Sequence, residues 1–408
     1  MLYGKDKLKK LEFLTEFYHN YGLYKFDDKI YIFDQKLAQT AINKLEKGAE
    51  NYLEDSPLKD TFLGSSSKSP ETRRAIAAIF RKSSIEEKCT SMTKCVRKMK
   101  NAGLNVVNIT EWSLCLALDI VGHVLLQLDF YALDGQQKKI LECMMTILHR
   151  CYALGEITPN SMEFKKANED FDKLTSKVLE NALNVEDLPN VEKRLVKKLH
   201  EACGFEQAKD NMKLFLMAGT ETTASTIPVV IYLLSKYPDV QEELRQEADE
   251  LIDSVRKDPT VQLPKIESMM KEVLRLYPIA PFISRQNEHP VTIGNIHLDQ
   301  HSDIIVFTWG IHRSKYSWDN SKEFLPFRHL NQSKSSGNLF IPFGAGSRVC
   351  IGQHLAWLEL RLAIGILLNK FIFKEIKETP DLKIECDWAH AVVHPDKDML
   401  FKLVPRSD

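Results

Sequence analysis

A short segment near the C-terminus combines a possible metal ligand, the thiolate of a cysteine, with glycines and an arginine at fixed spacing. Residues 343–352 read FGAGSRVCIG and match the pattern F-x-x-G-x-R-x-C-x-G at all five of its fixed positions, which are Phe343, Gly346, Arg348, Cys350 and Gly352. A chance match in about 400 residues is on the order of one in ten thousand at average residue frequencies. The alternative, a glycine-rich loop with an incidental buried cysteine, is therefore disfavoured.

A second segment places an acid beside an alcohol inside a long apolar run. Residues 218–223 read AGTETT and interrupt the apolar stretch of residues 206–237. A buried carboxyl and hydroxyl are costly unless something needs them, so Glu221 and Thr222 are candidates for proton transfer. In the alternative interpretation, the hydroxyls bind carbonyl groups one turn earlier and have only a structural role.

A third signal is weaker by itself. Glu272 precedes Arg275 by three residues on a predicted helix, a spacing also typical of solvated surface pairs. It gains weight from the sequence FLPFR at 324–328, which ends in Arg328 and lies shortly before the cysteine loop.

Together these segments resemble the cytochrome P-450 superfamily, and the resemblance extends over nearly the whole chain. It implies the cytochrome P-450 fold, mainly α with a smaller β part, formed by residues 1–408 as a single domain that holds haem b. The sequence KEVLRLYP at 271–278, with Arg348 instead of a histidine, is closer to microsomal-type and fatty-acid-hydroxylase-like members. The membrane anchor and proline hinge of microsomal members are missing.

The resemblance implies a role for each residue of the cysteine loop. Cys350 would be the axial ligand of the haem iron, where a thiolate pushes electron density onto the metal and favours O–O cleavage. Phe343 would pack against the haem near the sulfur, and Arg348 would pair with a haem propionate. Gly346 and Gly352 would let the loop fold tightly beneath the haem, and the Gly352 amide would tune the sulfur.

Two further arginines are suggested as propionate partners by their positions in the family pattern. Arg285 would lie on the strand that follows the E-x-x-R helix. Arg73 matches the arginine of the family's W-x-x-x-R helix, but Ser69 occupies the tryptophan position and Arg74 competes for the assignment.

The remaining implied roles concern bracing and oxygen activation. Glu272, Arg275 and Arg328 would form a buried structural network on the side of the haem loop, although Phe327 stands where the family often has glutamate. Thr222 would donate a hydrogen bond to dioxygen, and Glu221 would relay protons from solvent.

The implied activity is that of an oxidoreductase, a P-450-type monooxygenase. It would insert one atom of dioxygen into a small apolar organic substrate. Only 58 residues follow Cys350, and they carry no flavin or iron–sulfur signature, so a separate ferredoxin or flavoprotein reductase would supply the electrons. The alternatives are an enzyme of the same fold that rearranges or uses peroxides without external electrons, and a non-catalytic haem protein that binds a ligand. Peroxide-using members usually alter the acid–alcohol pair, which Glu221 and Thr222 preserve.

Mostly helical elements must position these residues. Apolar periodicity predicts helices over about 206–237, 264–277 and 350–370, an amphipathic helix around 240–255, and a short hairpin within 24–32. From Pro278 to Phe343, short strands and loops are expected, followed by C-terminal hairpins. No boundary between two domains is evident.

Composition excludes several other classes of protein. The formal net charge is −1, which argues against nucleic acid as the main partner. No stretch approaches eighteen uninterrupted apolar residues, so no transmembrane helix is expected. The eight scattered cysteines include no CxxC pair and fit a reducing compartment. The expected location is therefore the cytoplasm, in soluble form, unless an N-terminal anchor has been removed.

Overall fold

The structure is a computed structural model that describes residues 15, 22–26, 29–45, 61, 76–97, 106–126, 128–151, 161–184, 195–330, 339–386 and 392–406. Its helices are α1 (Gln35–Lys44), α2 (Lys82–Glu86), α3 (Cys89–Arg97), α4 (Ile109–Val121), α5 (Lys138–Cys151), α6 (Met162–Asn184), α7 (Leu195–Lys236), α8 (Pro238–Lys257), α9 (Pro264–Leu276), α10 (Thr308–His312) and α11 (Gln353–Lys370). Its strands are β1 (Leu23–Phe26), β2 (Lys29–Ile32), β3 (Val106–Asn108), β4 (Ile283–Gln286), β5 (Val291–Ile293), β6 (Ile296–Leu298), β7 (Asp303–Val306), β8 (Phe371–Lys374), β9 (Ile384–Cys386), β10 (Val393–Pro395) and β11 (Leu400–Pro405). The fold is mainly α with a smaller β part, as predicted.

Local capping explains where several helices begin. The Asp34 carboxylate accepts hydrogen bonds from the backbone amides of Lys36 and Leu37, both at 2.8 Å, and so satisfies two free donors at the start of α1. Asn108 caps α4 in the same way by accepting from the Glu111 amide at 3.2 Å. In α8, Pro238 occupies the first helical position, where its missing amide hydrogen costs nothing.

The chain divides into two compact units. One consists of Met1–Asn51, Glu267–Gln353 and Leu382–Asp396, and contains the cysteine loop and the E-x-x-R pair. The other consists of Tyr52–Ile266, His354–Asp381 and Lys397–Asp408, and contains the acid–alcohol pair.

The first unit is built around a four-stranded sheet of order β1-β2-β7-β4. The predicted hairpin is present as the antiparallel pair β1–β2, and β7 then pairs with β2 in parallel and with β4 in antiparallel. Side chains from alternate positions, such as Ile32 and Ile304, pack against Ala38 and Ile42 of α1 to form the core of this unit. The sheet thereby fixes β4, which carries Arg285.

The second unit is dominated by α7. Gly204, at φ 76° and ψ 177°, breaks the helical geometry in a conformation essentially confined to glycine, so the continuous apolar helix follows it. The helix after Gly204 ends at Lys236, so it agrees closely with the predicted range of 206–237. Gly219 lets α4 approach closely, because a Cβ atom there would lie 2.7 Å from a methyl group of Val121.

Two helical segments, Ile109–Leu126 and Val196–Lys236, are long and apolar enough to cross a membrane by length and composition. Both are mostly buried inside the structure, as the core helices of a folded protein also are. The expectation of no transmembrane helix rested on uninterrupted apolar runs, and these two segments pass a less strict test.

Candidate functional site

The cysteine loop is a succession of tight turns that present a thiol. The amide of Cys350 donates to the carbonyl of Phe343 at 2.9 Å, and the amide of Gly344 donates to that of Ile341 at 3.0 Å. A 3₁₀ turn, Gly346–Arg348, lies between these contacts. The Cys350 side chain is exposed, so its sulfur is accessible to a ligand.

Two glycines of this loop, Gly346 and Gly352, differ in whether the structure requires glycine. Gly346 adopts φ +72°, and a Cβ atom there would lie 3.1 Å from the carbonyl oxygen of Ile42. Both facts demand glycine. At Gly352, a Cβ atom would lie 3.8 Å from the Cys350 sulfur, an ordinary contact distance. Close packing of the loop therefore requires Gly346, whereas a Cβ atom could be accommodated at Gly352.

The arginines assigned to propionates lie in different settings. Arg285 is 2% exposed on β4, donates from Nη1 to the Ser284 carbonyl at 2.9 Å, and has Nη2 3.5 Å from the carbonyl of Ala345 in the cysteine loop. Arg348 is partly exposed at the end of the 3₁₀ turn. Arg73, with Arg74 and Ser69, lies outside the described residues.

The chemistry of this donor set fits a haem. An accessible cysteine sulfur is a known axial ligand, and arginines with fixed forked donors are suited to pair with carboxylates. Cys350 would bind the iron, and Arg285 and Arg348 would meet the propionates.

The acid–alcohol pair lies beside a short accessible break in the buried stretch of α7. From 211 to 231, the residues of α7 are buried except for Ala218, which is exposed, and Gly219 and Thr222, which are partly exposed. Ala218 and Thr222 are one turn apart and so share a face of the helix. An otherwise buried helix thus offers one accessible strip, and Thr222 lies in it.

Glu221 and Thr222 differ in their surroundings. Burial raises the pKa of the Glu221 carboxyl to about 8, so this side chain is mostly neutral at pH 7. The Thr222 hydroxyl donates to the Ala218 carbonyl at 2.8 Å. That bond is the one expected in the structural interpretation of the pair, although Thr222 stays partly accessible.

A second buried acid contacts the same helix from a distant part of the sequence. Glu359 of α11 is 1% exposed and accepts a hydrogen bond from the Thr223 hydroxyl at 3.3 Å. Burial raises its pKa well above the usual range, against the opposing effect of the Thr223 hydrogen bond. In the sequence, Glu359 is marked only by its place after the cysteine loop. Its contact with Thr223 could not be predicted, because the two residues are 136 positions apart.

The structure brings Glu272, Arg275 and Arg328 together. The Glu272 carboxylate is fully buried and receives two bonds from Arg275, each 2.8 Å long, and one from Arg328 Nε at 3.0 Å. Arg275 also donates to the backbone carbonyls of His312 and Ser321 at 2.8 and 2.7 Å. The network therefore joins α9 to the end of α10 and to the loop that contains Ser321, all in the first unit.

His329 is a member of this network that the sequence analysis missed. Its Nε2 lies 3.2 Å from the second oxygen of Glu272, and its side chain is 5% exposed. Burial alone would raise the pKa of Glu272, but the hydrogen bonds from Arg275 and His329 outweigh it and lower that pKa to about 2. The position of this histidine directly after Arg328 was the only feature of the sequence that could have suggested its place in the network.

Comparison with known proteins supplies the family. The family described as Cytochrome P450 matches residues 28–402.

The chain belongs to the cytochrome P450 family.

Membership confirms the predicted family and the mainly α fold. Cytochrome P450 3A12 of Canis lupus familiaris is 34% identical over 199 residues, which are 47% of this chain and 39% of that protein. Cytochrome P450 3A9 of Rattus norvegicus is 30% identical over 225 residues, 54% of this chain and 44% of that protein. Cytochrome P450 3A16 of Mus musculus is 29% identical over 260 residues, which are 59% of this chain and 51% of that protein. The matches thus span about half or less of the length of these mammalian relatives.

The low pKa of Glu272 predicts a specific loss of stability in acid. A depressed carboxylate pKa contributes stability above the unfolded value of about 4.5 and loses it as pH falls toward 2. This amounts to about 3 kcal/mol, and removing one partner of a buried ion pair costs a similar amount. Glu272→Gln should therefore unfold in less urea than the wild type at about pH 7.

The difference between the two proteins should shrink as pH falls through 4.5. Glu288→Gln, at an exposed position of the same unit, is the control and should follow the wild type throughout. A constant difference between Glu272→Gln and the wild type at all pH values would contradict an ionised Glu272.

Proposed function

We propose that this protein is a haem-thiolate monooxygenase that inserts one oxygen atom from dioxygen into a small apolar organic substrate. The observation that carries the proposal is the accessible strip of α7, where partly exposed Thr222 follows an acid whose pKa is raised to about 8. When bound, haem b would supply an iron centre for dioxygen, and a thiolate ligand would favour O–O cleavage.

The cysteine loop would bind the haem. Cys350 presents an exposed sulfur at the end of a loop held by its own backbone bond to Phe343. Arg285, buried beside the carbonyl of Ala345, and Arg348 would orient the carboxylates of the haem. A buried carboxylate without a cation is costly, so these arginines would also hold the group in place.

The α7 strip would provide the proton. Glu221 is neutral at pH 7 and so holds a proton that it can give up, which a general acid requires. Thr222 would pass it on through its hydroxyl. That hydroxyl now donates to Ala218, but threonine in a helix has two side-chain orientations, so it can turn to the open side.

Electrons, substrate and location complete the proposal. A ferredoxin or flavoprotein reductase would deliver two electrons to the haem. Small apolar substrates follow from the likeness to microsomal-type members. A single domain over residues 1–408 and a cytoplasmic location remain predictions. Consumption of NAD(P)H and dioxygen with a surrogate redox pair would separate this function from peroxide rearrangement and from ligand binding alone.

Removal of the proposed iron ligand is the first test. Cys350→Ala should lose the thiolate-type spectrum of the reduced carbonyl complex, because no sulfur remains in the loop. Cys203→Ala, which removes a partly exposed thiol of α7, should keep that spectrum. A thiolate-type spectrum that persists in Cys350→Ala would show that another residue binds the iron.

Thr222→Ala should bind substrate almost as tightly as the wild type but release reduced oxygen as peroxide. Product formed per NAD(P)H should fall by about tenfold or more, since the proton is delivered at the wrong time. Thr222→Ser keeps the hydroxyl and should retain most of the product yield. If Thr222→Ala forms product as efficiently as the wild type, the Ala218 bond is the whole role of Thr222.

The raised pKa of Glu221 gives the activity a basic limit. As pH rises through about 8, the carboxyl loses the proton it donates, so turnover should fall over this range. Glu221→Gln should be slower throughout and lack this fall. Glu206→Gln, at an exposed position of the same helix, is the control and should keep the wild-type profile. An unchanged fall in Glu221→Gln would assign the pH dependence to another group.

A further inference from the structure

Two histidines hold the segment that leads into the cysteine loop. The ring of His312 stacks on the ring of Phe340 with centroids 5.4 Å apart and an angle of 30° between the planes. The ring of His329 lies against the same phenylalanine, also at 5.4 Å and tilted by 41°. Both histidines belong to the first unit, as does Phe340, and neither lies within the motif patterns of the sequence.

His312 also holds the backbone of the next residue. Its Nε2 accepts a hydrogen bond from the amide of Ile341 at 2.9 Å, which requires that this nitrogen carry no proton. The ring is completely buried, and burial together with the positive charge of Arg275 lowers its pKa to about 3. His312 is therefore a neutral acceptor at any physiological pH.

Both histidines are tied to the Glu272–Arg275 pair. The carbonyl of His312 accepts from Arg275 at 2.8 Å, and Nε2 of His329 lies 3.2 Å from the carboxylate of Glu272. The amide of His329 donates to the Ser268 hydroxyl of α9 at 3.1 Å. The edge of its ring packs against Trp318 at 5.8 Å. Hydrogen bonds therefore hold the backbone of His312 and both the backbone and the ring of His329, and each ring also packs against Phe340.

The contacts continue from Phe340 to the cysteine. The carbonyl of Ile341 accepts from Gly344 at 3.0 Å, and the carbonyl of Phe343 accepts from the amide of Cys350 at 2.9 Å. A displacement of residues 340–341 would therefore be transmitted to the turn that sets the position of the sulfur.

We propose that His312 and His329 are positioning residues for Cys350. Both rings pack against Phe340, and His312 also accepts the hydrogen bond from the Ile341 amide. In this way the two histidines connect the Glu272 network to the start of the cysteine loop and restrict its movement. The inference rests on the proposed function only in taking Cys350 as the haem ligand. Loss of the contacts of His312 and His329 with Phe340 and Ile341 would let the sulfur leave its position while the fold and the bound haem stay intact.

The variants separate the two kinds of contact. His312→Phe keeps an aromatic ring against Phe340 but removes the acceptor of the Ile341 amide. His329→Gln keeps a donor for Glu272 but removes the ring from Phe340. His297→Gln, at an exposed position of β6 in the same unit, is the control.

Two measurements on the haem-loaded protein test the proposal. In His312→Phe, hydrogen exchange at the Ile341 amide should accelerate by roughly tenfold relative to the wild type, because the amide loses its acceptor. In both His312→Phe and His329→Gln, the reduced carbonyl complex should convert to the thiol-type form several-fold faster on mild heating. Haem content and helix content before heating should equal those of the wild type and of His297→Gln.

The outcomes are distinct. Faster exchange with a thiolate-type complex as durable as that of the wild type would overturn the proposal, since the histidines would then only stabilise the fold. If His312→Phe does not fold, His329→Gln decides by the same spectral test. A wild type that never shows the thiolate-type complex would refute the proposed function itself, whereas a normal wild type with equally durable variants would refute this inference alone.

Discussion

A carboxylate that has lost all contact with water must receive enough donors to remain charged, and Glu272 organises its unit in this way. Its oxygens accept from Arg275, Arg328 and the amide of Leu325, and His329 completes the set. Arg275 also binds the backbone carbonyl of His312 at the end of α10. It binds those of Ser321 and Glu323 as well, so one buried charge fixes a segment that has no regular secondary structure of its own. Through His312 and His329, the same network contacts Phe340 and Ile341, which precede the loop that carries Cys350.

Three buried glutamates show how surroundings set the protonation of one side-chain type. Glu272 stays ionised because hydrogen bonds from Arg275 and His329 and the charge of Arg275 outweigh burial. Glu221 has no such compensation, so burial raises its pKa to about 8. Glu359 is fully buried and accepts a hydrogen bond from the Thr223 hydroxyl, and burial raises its pKa as well. The first acid can brace a structure, whereas a neutral acid such as Glu221 can give a proton.

Local patterns in the sequence were sufficient for the helices α7, α8, α9 and α11, the β1–β2 hairpin and the cysteine loop. The apolar run of α7 and the amphipathic stripe of α8 each extend over several turns, so periodicity located them closely. The cysteine motif could be recognised because its glycines meet a local demand, such as the left-handed backbone at Gly346. In such segments the physical requirement acts within a few residues, so it can be recognised from the sequence alone.

Contacts between distant segments depended on the tertiary structure. The sequence named Glu272, Arg275 and Arg328, but nothing in it joined His329 to Glu272, His312 to the Ile341 amide, or Thr223 to Glu359 across 136 residues. It also could not tell that Gly219 serves the packing of Val121 of α4, while Ala218 is the accessible residue. The residue types and their spacing determined the family and suggested the candidate reactive groups. Burial decided which carboxyls are charged, because desolvation depends on every element that packs around a side chain and not on its neighbours in sequence.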